Sequence, residues 1–84
     1  MREKMTRPIH EIAKEIKQDW GSRVWFGAVP YLRAMEDLEE ISDSYGYDSA
    51  REIVLYFLAN AAQWRGDTAR RIKKELKDIL KEGK

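Results

Sequence analysis

Imidazole, thiol, hydroxyl and carboxylate groups carry most protein chemistry, and this chain holds few of them at useful spacings. His10 is the single histidine, and there is no cysteine. One imidazole without thiolates does not supply the three or four ligands of a zinc site. His10, beside Pro8 and Ile9, therefore reads as a surface or capping residue. Glu36 shares a helix face with Glu39 and with Glu40, at spacings of three and four. Such oxygens suit a hard cation, but no loop carries the spaced Asp, Asn and Gly ligands of a calcium site. The acids read as a solvated face. Ser22, Ser42, Ser44 and Ser49 are the serines. None stands in a G-x-S-x-G turn, and Ser49 is accounted for as a helix cap. The five glycines, Gly21, Gly27, Gly46, Gly66 and Gly83, are scattered and form no phosphate loop. The chain reads as non-enzymatic, with no catalytic, cofactor or metal site.

Two features point to binding instead. The first is a set of nine aromatic side chains. Trp20 and Trp64 are in phase with helical stripes and suit a core. Trp25 adjoins Phe26 in a loop, and Tyr31 follows one turn into the next helix. Trp25, Phe26 and Tyr31 are candidate protein-interface residues, with core packing the competing role for Trp25. The second feature is a basic stripe. Arg65, Arg70, Arg71, Lys74 and Lys77 form a candidate nucleic-acid contact on the last helix. Net charge is only +1, and Glu75 and Asp78 interrupt the stripe, whereas nucleic-acid-binding domains are strongly basic.

Charge is unevenly placed. Residues 1–23 sum to +2, residues 24–48 to −5 and residues 49–84 to +4. The acidic and basic elements either pair inside the domain or offer faces of opposite sign to partners.

Four amphipathic segments must position these residues. The first, about 7–20, is capped by Thr6 or Arg7, with Pro8 in its first turn. It buries Ile9, Ile12, Ile16 and Trp20 and ends at Gly21-Ser22. An aromatic loop occupies 21–28. The second helix spans about 30–44, on a stripe of Leu32, Met35, Leu38 and Ile41, and closes at Gly46. The third spans 49–64 from a capping box in which Ser49 faces Glu52. Ile53, Val54, Phe57, Leu58, Ala61 and Trp64 line its buried side. Leu55, Tyr56 and Ala59 widen that arc, so it is expected to be the most buried helix. Gly66 supplies a left-handed C-terminal residue and Asp67 an N-cap, and the fourth helix spans 67–81. On it, Arg71–Glu75 and Lys74–Asp78 are spaced for ion pairs. The expected architecture is an all-α bundle of four helices joined by short turns. Residues 1–5 read as a flexible extension and residues 6–82 as one helical domain.

Hydrophobic content of 43% against 37% charge is that of a folded domain with a charged surface. The longest apolar run, Ile53 to Ala59, is too short to span a bilayer. With no signal segment, the expected location is the cytoplasm and no membrane partner is expected.

Several runs carry a resemblance: Ile12-Ala13-Lys14-Glu15-Ile16 with Asp19-Trp20, Ala28-Val29-Pro30-Tyr31-Leu32, Tyr45-Gly46-Tyr47-Asp48-Ser49-Ala50, Ile53 to Ala61, and Trp64-Arg65-Gly66. Across residues 6–81 the chain resembles small uncharacterised helical proteins encoded by bacteriophages and integrated mobile elements. The resemblance implies a phage origin, a host-cell cytoplasmic setting and no particular activity. The function expected is a small protein–protein interaction module, a phage accessory factor that binds a host or phage protein or itself. The alternative is a nucleic-acid-binding regulator working through the fourth helix.

Overall fold

A computed structural model describes residues 7–39, 44–45 and 48–82. Helix α1 (Ile9–Trp20) starts after Pro8, which takes the cap position without a side-chain hydrogen bond. Of the two expected caps, Thr6 lies outside the described residues and Arg7 precedes Pro8, which holds the cap position. The free N–H groups of the first turn must find acceptors elsewhere. They find them across the fold, with Ile9 N–H donating to Glu39 O and His10 N–H to Leu38 O, both at 2.9 Å. These bonds explain a departure from the sequence expectation. Helix α2 (Val29–Met35) is seven residues long and does not continue to 44. The chain turns at 36–37, so that Leu38 still buries while its carbonyl faces α1. Glutamate-rich sequence favours helix by a few tenths of a kcal/mol per residue, and two tertiary backbone hydrogen bonds outweigh that. Ile41, Gly46 and the helix end expected near them lie outside the described residues.

Where a helix terminus was expected, Ser44–Tyr45 (β1) and Asp48–Ser49 (β2) pair antiparallel, Ser44 opposite Ser49 and Tyr45 opposite Asp48. Helix α3 (Ala50–Ala59) follows. Ser49 caps it as expected, its Oγ accepting from Glu52 N at 3.1 Å. The helix stops at Ala59 rather than at Trp64. Asn60 adopts φ −107° and ψ 14°, and the chain continues in looser turns, Ala61 N–H reaching Leu58 O and Trp64 N–H reaching Ala61 O. Ala61 and Trp64 stay buried. The apolar period was thus right for burial and wrong for helix length.

Helix α4 (Asp67–Glu82) runs as expected. Gly66 has φ +114°, a region costly for any residue with a Cβ. Its carbonyl accepts from Arg70 N at 3.0 Å, so Gly66 holds the cap position. Asp67 is instead the first helical residue, where a negative charge favours the N-terminus. At the other end Arg51 Nη1 donates to Leu80 O at 2.8 Å and ties α3 to the last turn of α4.

The fold is all-α, with four α-helices among the described residues. Ile12 and Ile16 of α1, Leu32 and Met35 of α2, Val54 and Phe57 of α3, and Ile72 and Leu76 of α4 meet in one core, with no buried polar side chain among the described residues. Leu58, expected in that core, is only partly buried against it. Trp20 and Trp64 stack at 5.5 Å and 14°, and each presents an edge contact to Phe57. Trp64 Nε1 donates to Asp19 Oδ2 at 2.8 Å. This group pins the segment before α4 onto the end of α1.

Candidate functional site

The loop between α1 and α2 is built from two 3-10 turns, Gly21–Arg23 and Phe26–Ala28. The second anchors itself by burying Ala28 and by the Ala28 N–H bond to Trp25 O at 2.8 Å. That geometry turns Trp25 and Phe26 outward. Their rings touch at 4.4 Å, Trp25 is 38% exposed and Phe26 73%. Gly27 is required here, because a Cβ would sit 2.6 Å from Trp25 Nε1 and 2.9 Å from Asn60 Oδ1. The loop thus lies against the C-terminal end of α3. Tyr31 is partly buried and packs on Tyr56 at 5.4 Å.

Trp25 and Phe26 thus pair with each other on the loop, while Tyr31 pairs with Tyr56 of α3. Tyr56 is 47% and Leu55 46% exposed, and Ala59 is exposed beside them. The expectation that Leu55, Tyr56 and Ala59 widen a buried arc is overturned. A helix in a small bundle buries about a 100° stripe, and α3 carries more apolar surface than that stripe holds. That excess is the signal through which Leu55 and Tyr56 are legible as surface. Glu36, read as part of a solvated acidic face, turns to α1. Its Oε2 lies 2.8 Å from Lys17 Nζ, an ion pair at an angle outside hydrogen-bond geometry. His10 is exposed and lines the same cleft of about 450 Å³ with Lys14, Lys17 and Gln18.

The basic candidates divide. Arg71 is hydrogen-bonded to Glu15, Arg70 pairs with Asp67 at 3.2 Å and Lys74 with Asp78 at 3.0 Å. The expected Arg71–Glu75 pair is replaced. Glu75 takes both Nε and Nη2 of Arg7, at 3.1 and 2.9 Å, and Arg7 also reaches Glu15 at 2.9 Å. Hydrogen bonding to Glu75, above all, raises the Arg7 pKa, and hydrogen bonding to Arg71 lowers that of Glu15. Arg65 and Lys77 pair with no carboxylate among the described residues. Near them is Lys73, which sequence reasoning missed. It donates from Nζ to Trp64 O at 2.8 Å, and burial, then Lys77 and Arg65, push its pKa down.

Among the described residues, no three His, Cys, Asp or Glu side chains gather as a metal site, and no helix is long and apolar enough to cross a membrane. Comparison with protein-family models, curated proteins and solved structures gives no match.

Proposed function

We propose that this protein is a small non-enzymatic interaction module that binds another protein through the surface formed by Trp25, Phe26, Leu55, Tyr56 and Tyr31. The observation that carries it is the exposure of four large apolar side chains, Trp25 and Phe26 on an ordered loop and Leu55 and Tyr56 on α3, the helix against whose end that loop lies. Isolated exposed apolar residues are ordinary, whereas a contiguous patch marks an interaction site. The aromatic members are of the type that dominates interface energetics.

Area selects the partner. With exposures of 38 to 73% and roughly 150–250 Å² per large side chain, the patch offers about 400 Å². A stable dimer needs about 800 Å² from each copy. The patch therefore fits one short apolar helical segment of another protein, docked along α3 beside Trp25. The resemblance to phage-encoded proteins supports a role as an accessory factor whose partner is a host or phage protein in the cytoplasm.

Selection from a displayed peptide library tests this. The wild-type protein should enrich peptides with apolar residues at helical spacing, and Phe26→Ala with Tyr56→Ala should lose them while melting within a few degrees of wild type. Phe26 is the informative position, because truncating the more buried Trp25 also costs packing. Peptides that bind wild type and variant equally would refute the surface. Concentration-dependent dimerisation abolished by the same pair would replace the peptide partner with a second copy.

A further inference from the structure

A second surface, lined by residues other than those of the aromatic patch, carries two arginines that form no ion pair among the described residues. A cleft of about 340 Å³ opens where α1 ends and the segment before α4 crosses it, lined by Asp19, Trp20, Arg23, Gln63, Trp64 and Arg65. Its floor is rigid, since Trp20 and Trp64 are buried and stacked. Asp19 is the one acid in the lining, and it is held by Trp64 Nε1. Arg23 and Arg65 are exposed at the rim, and neither forms an ion pair among the described residues. Lys73 holds the backbone of the floor through Trp64 O, with its ammonium 5.9 Å from the Trp64 ring centre.

We infer that this cleft binds a phosphate-type dianion, gripped between the Arg23 and Arg65 guanidiniums. Three observations converge on an anion. The lining carries two fixed positive charges against one carboxylate. Guanidinium forks match the oxygens of phosphate in a bidentate way. Elsewhere in the fold Arg7, Lys17, Arg70, Arg71 and Lys74 each hold a carboxylate, whereas Arg23 and Arg65 pair with none among the described residues. Arg65 and Lys77 act together to lower the Lys73 pKa, after burial. The cleft is small and its aromatic floor is covered, so it offers no open ring face on which a nucleobase could stack. The ligand is therefore the phosphate group itself, whether free or as the terminal monoester of a small molecule, rather than a nucleic-acid strand. The site is independent of the peptide-docking surface and stands or falls apart from it.

The test is a titration of the intact protein with inorganic phosphate, with glycerol phosphate and with an oligonucleotide lacking a terminal phosphate, each against sodium chloride at matched ionic strength. The readout is the indole N–H resonance of Trp64, at the cleft floor. Phosphate and glycerol phosphate should give saturable shifts that chloride does not. Arg65→Gln or Arg23→Gln should weaken binding by about ten-fold or more, the scale of losing a charge-assisted bidentate contact. Arg33→Gln, which removes an exposed arginine on α2, should leave it unchanged. No phosphate shift beyond chloride overturns the proposal. Equal weakening by Arg33→Gln and Arg65→Gln does so too, reducing the effect to general screening. Response to the oligonucleotide alone assigns the cations to a phosphodiester backbone and overturns the monoester site.

Discussion

Trp64 should be the residue on which the joint between α3 and α4 depends, because it lies outside both helices and its side chain is held by tertiary contacts. It is 2% exposed. It stacks on Trp20, meets the edge of Phe57 and donates to Asp19. Truncation to alanine removes the ring from a packed site, which costs about 3–5 kcal/mol. At ~0.05–0.15 kcal/mol per residue, the whole domain holds about 4–13 kcal/mol. Trp64→Ala should therefore take a large share of the stability and lower Tm by at least ~12 °C, at ~4–8 °C per kcal/mol for a domain this small. Trp64→Phe keeps an aromatic ring but loses the donor to Asp19. Asp19 is exposed and can rehydrate, so this variant should cost only about 1–2 kcal/mol. The hydrogen bond is isolated by a cycle of Trp64→Phe with Asp19→Ala, for which a coupling of about 0.5–1.5 kcal/mol is expected. Urea unfolding followed by far-ultraviolet circular dichroism measures all four states. If phenylalanine costs as much as alanine, ring stacking is not what holds the joint. A coupling indistinguishable from zero would remove the Asp19 bond from the account.

Two further outcomes follow from single features. Gly66→Ala should destabilise by about 1 kcal/mol, entirely through its φ of +114°, since a Cβ there meets nothing within 4 Å; an unchanged or raised urea midpoint would contradict this. Stability should also fall on acidification through the region below pH 4.5, because the pKa of Glu15 is held below its ordinary 4.5 by Arg71 and then Arg7. In that window the unfolded chain binds a proton that the folded one does not, so the contribution is complete above pH 4.5 and lost as pH falls through the folded value. Glu15→Gln should flatten this part of a urea-midpoint titration, and an identical slope in the variant would locate the acid sensitivity elsewhere.

The sequence was most legible where a structural choice is local. Ser49 caps α3 and α4 starts at Asp67 and runs its full expected length, because each depends on residues within one turn, although Gly66 serves as the cap of α4 and not as the end of α3, which stops at Ala59. It was least legible where a distant partner decides. The end of α2 is set by the orphan N–H groups of Ile9 and His10, which Leu38 and Glu39 satisfy. Nothing in the 36–40 stretch itself announces that task. The end of α3 differs in kind. There the apolar period continues through Ala61 and Trp64, both buried, while the backbone leaves the helix at Asn60. Periodicity reports which side chains face the core, and a looser turn presents them as well as a helix does.

The same division governs the two candidate surfaces. The aromatic loop was legible because Trp25 and Phe26 belong to no helical stripe, so local pattern alone set them apart. The basic stripe was legible only in part, because sequence spacing names partners within one helix, such as Asp78 for Lys74, and not those on another. Arg7 and Glu75 are 68 positions apart and Arg71 and Glu15 are 56 apart, and these pairs take Arg71 out of the cationic face and give Glu75 a partner other than Arg71. What remains unpaired is not the stripe's centre but its edge at Arg65, Lys73 and Lys77, joined by Arg23 from another element. A mutational series that reversed Arg70, Arg71 and Lys74 would break ion pairs within the fold, and lost binding in such variants would be confounded with lost stability. Arg23 and Arg65 touch no described carboxylate, so neutralising them changes the surface field while leaving the network between α1 and α4 intact. They are the positions at which binding and folding can be separated.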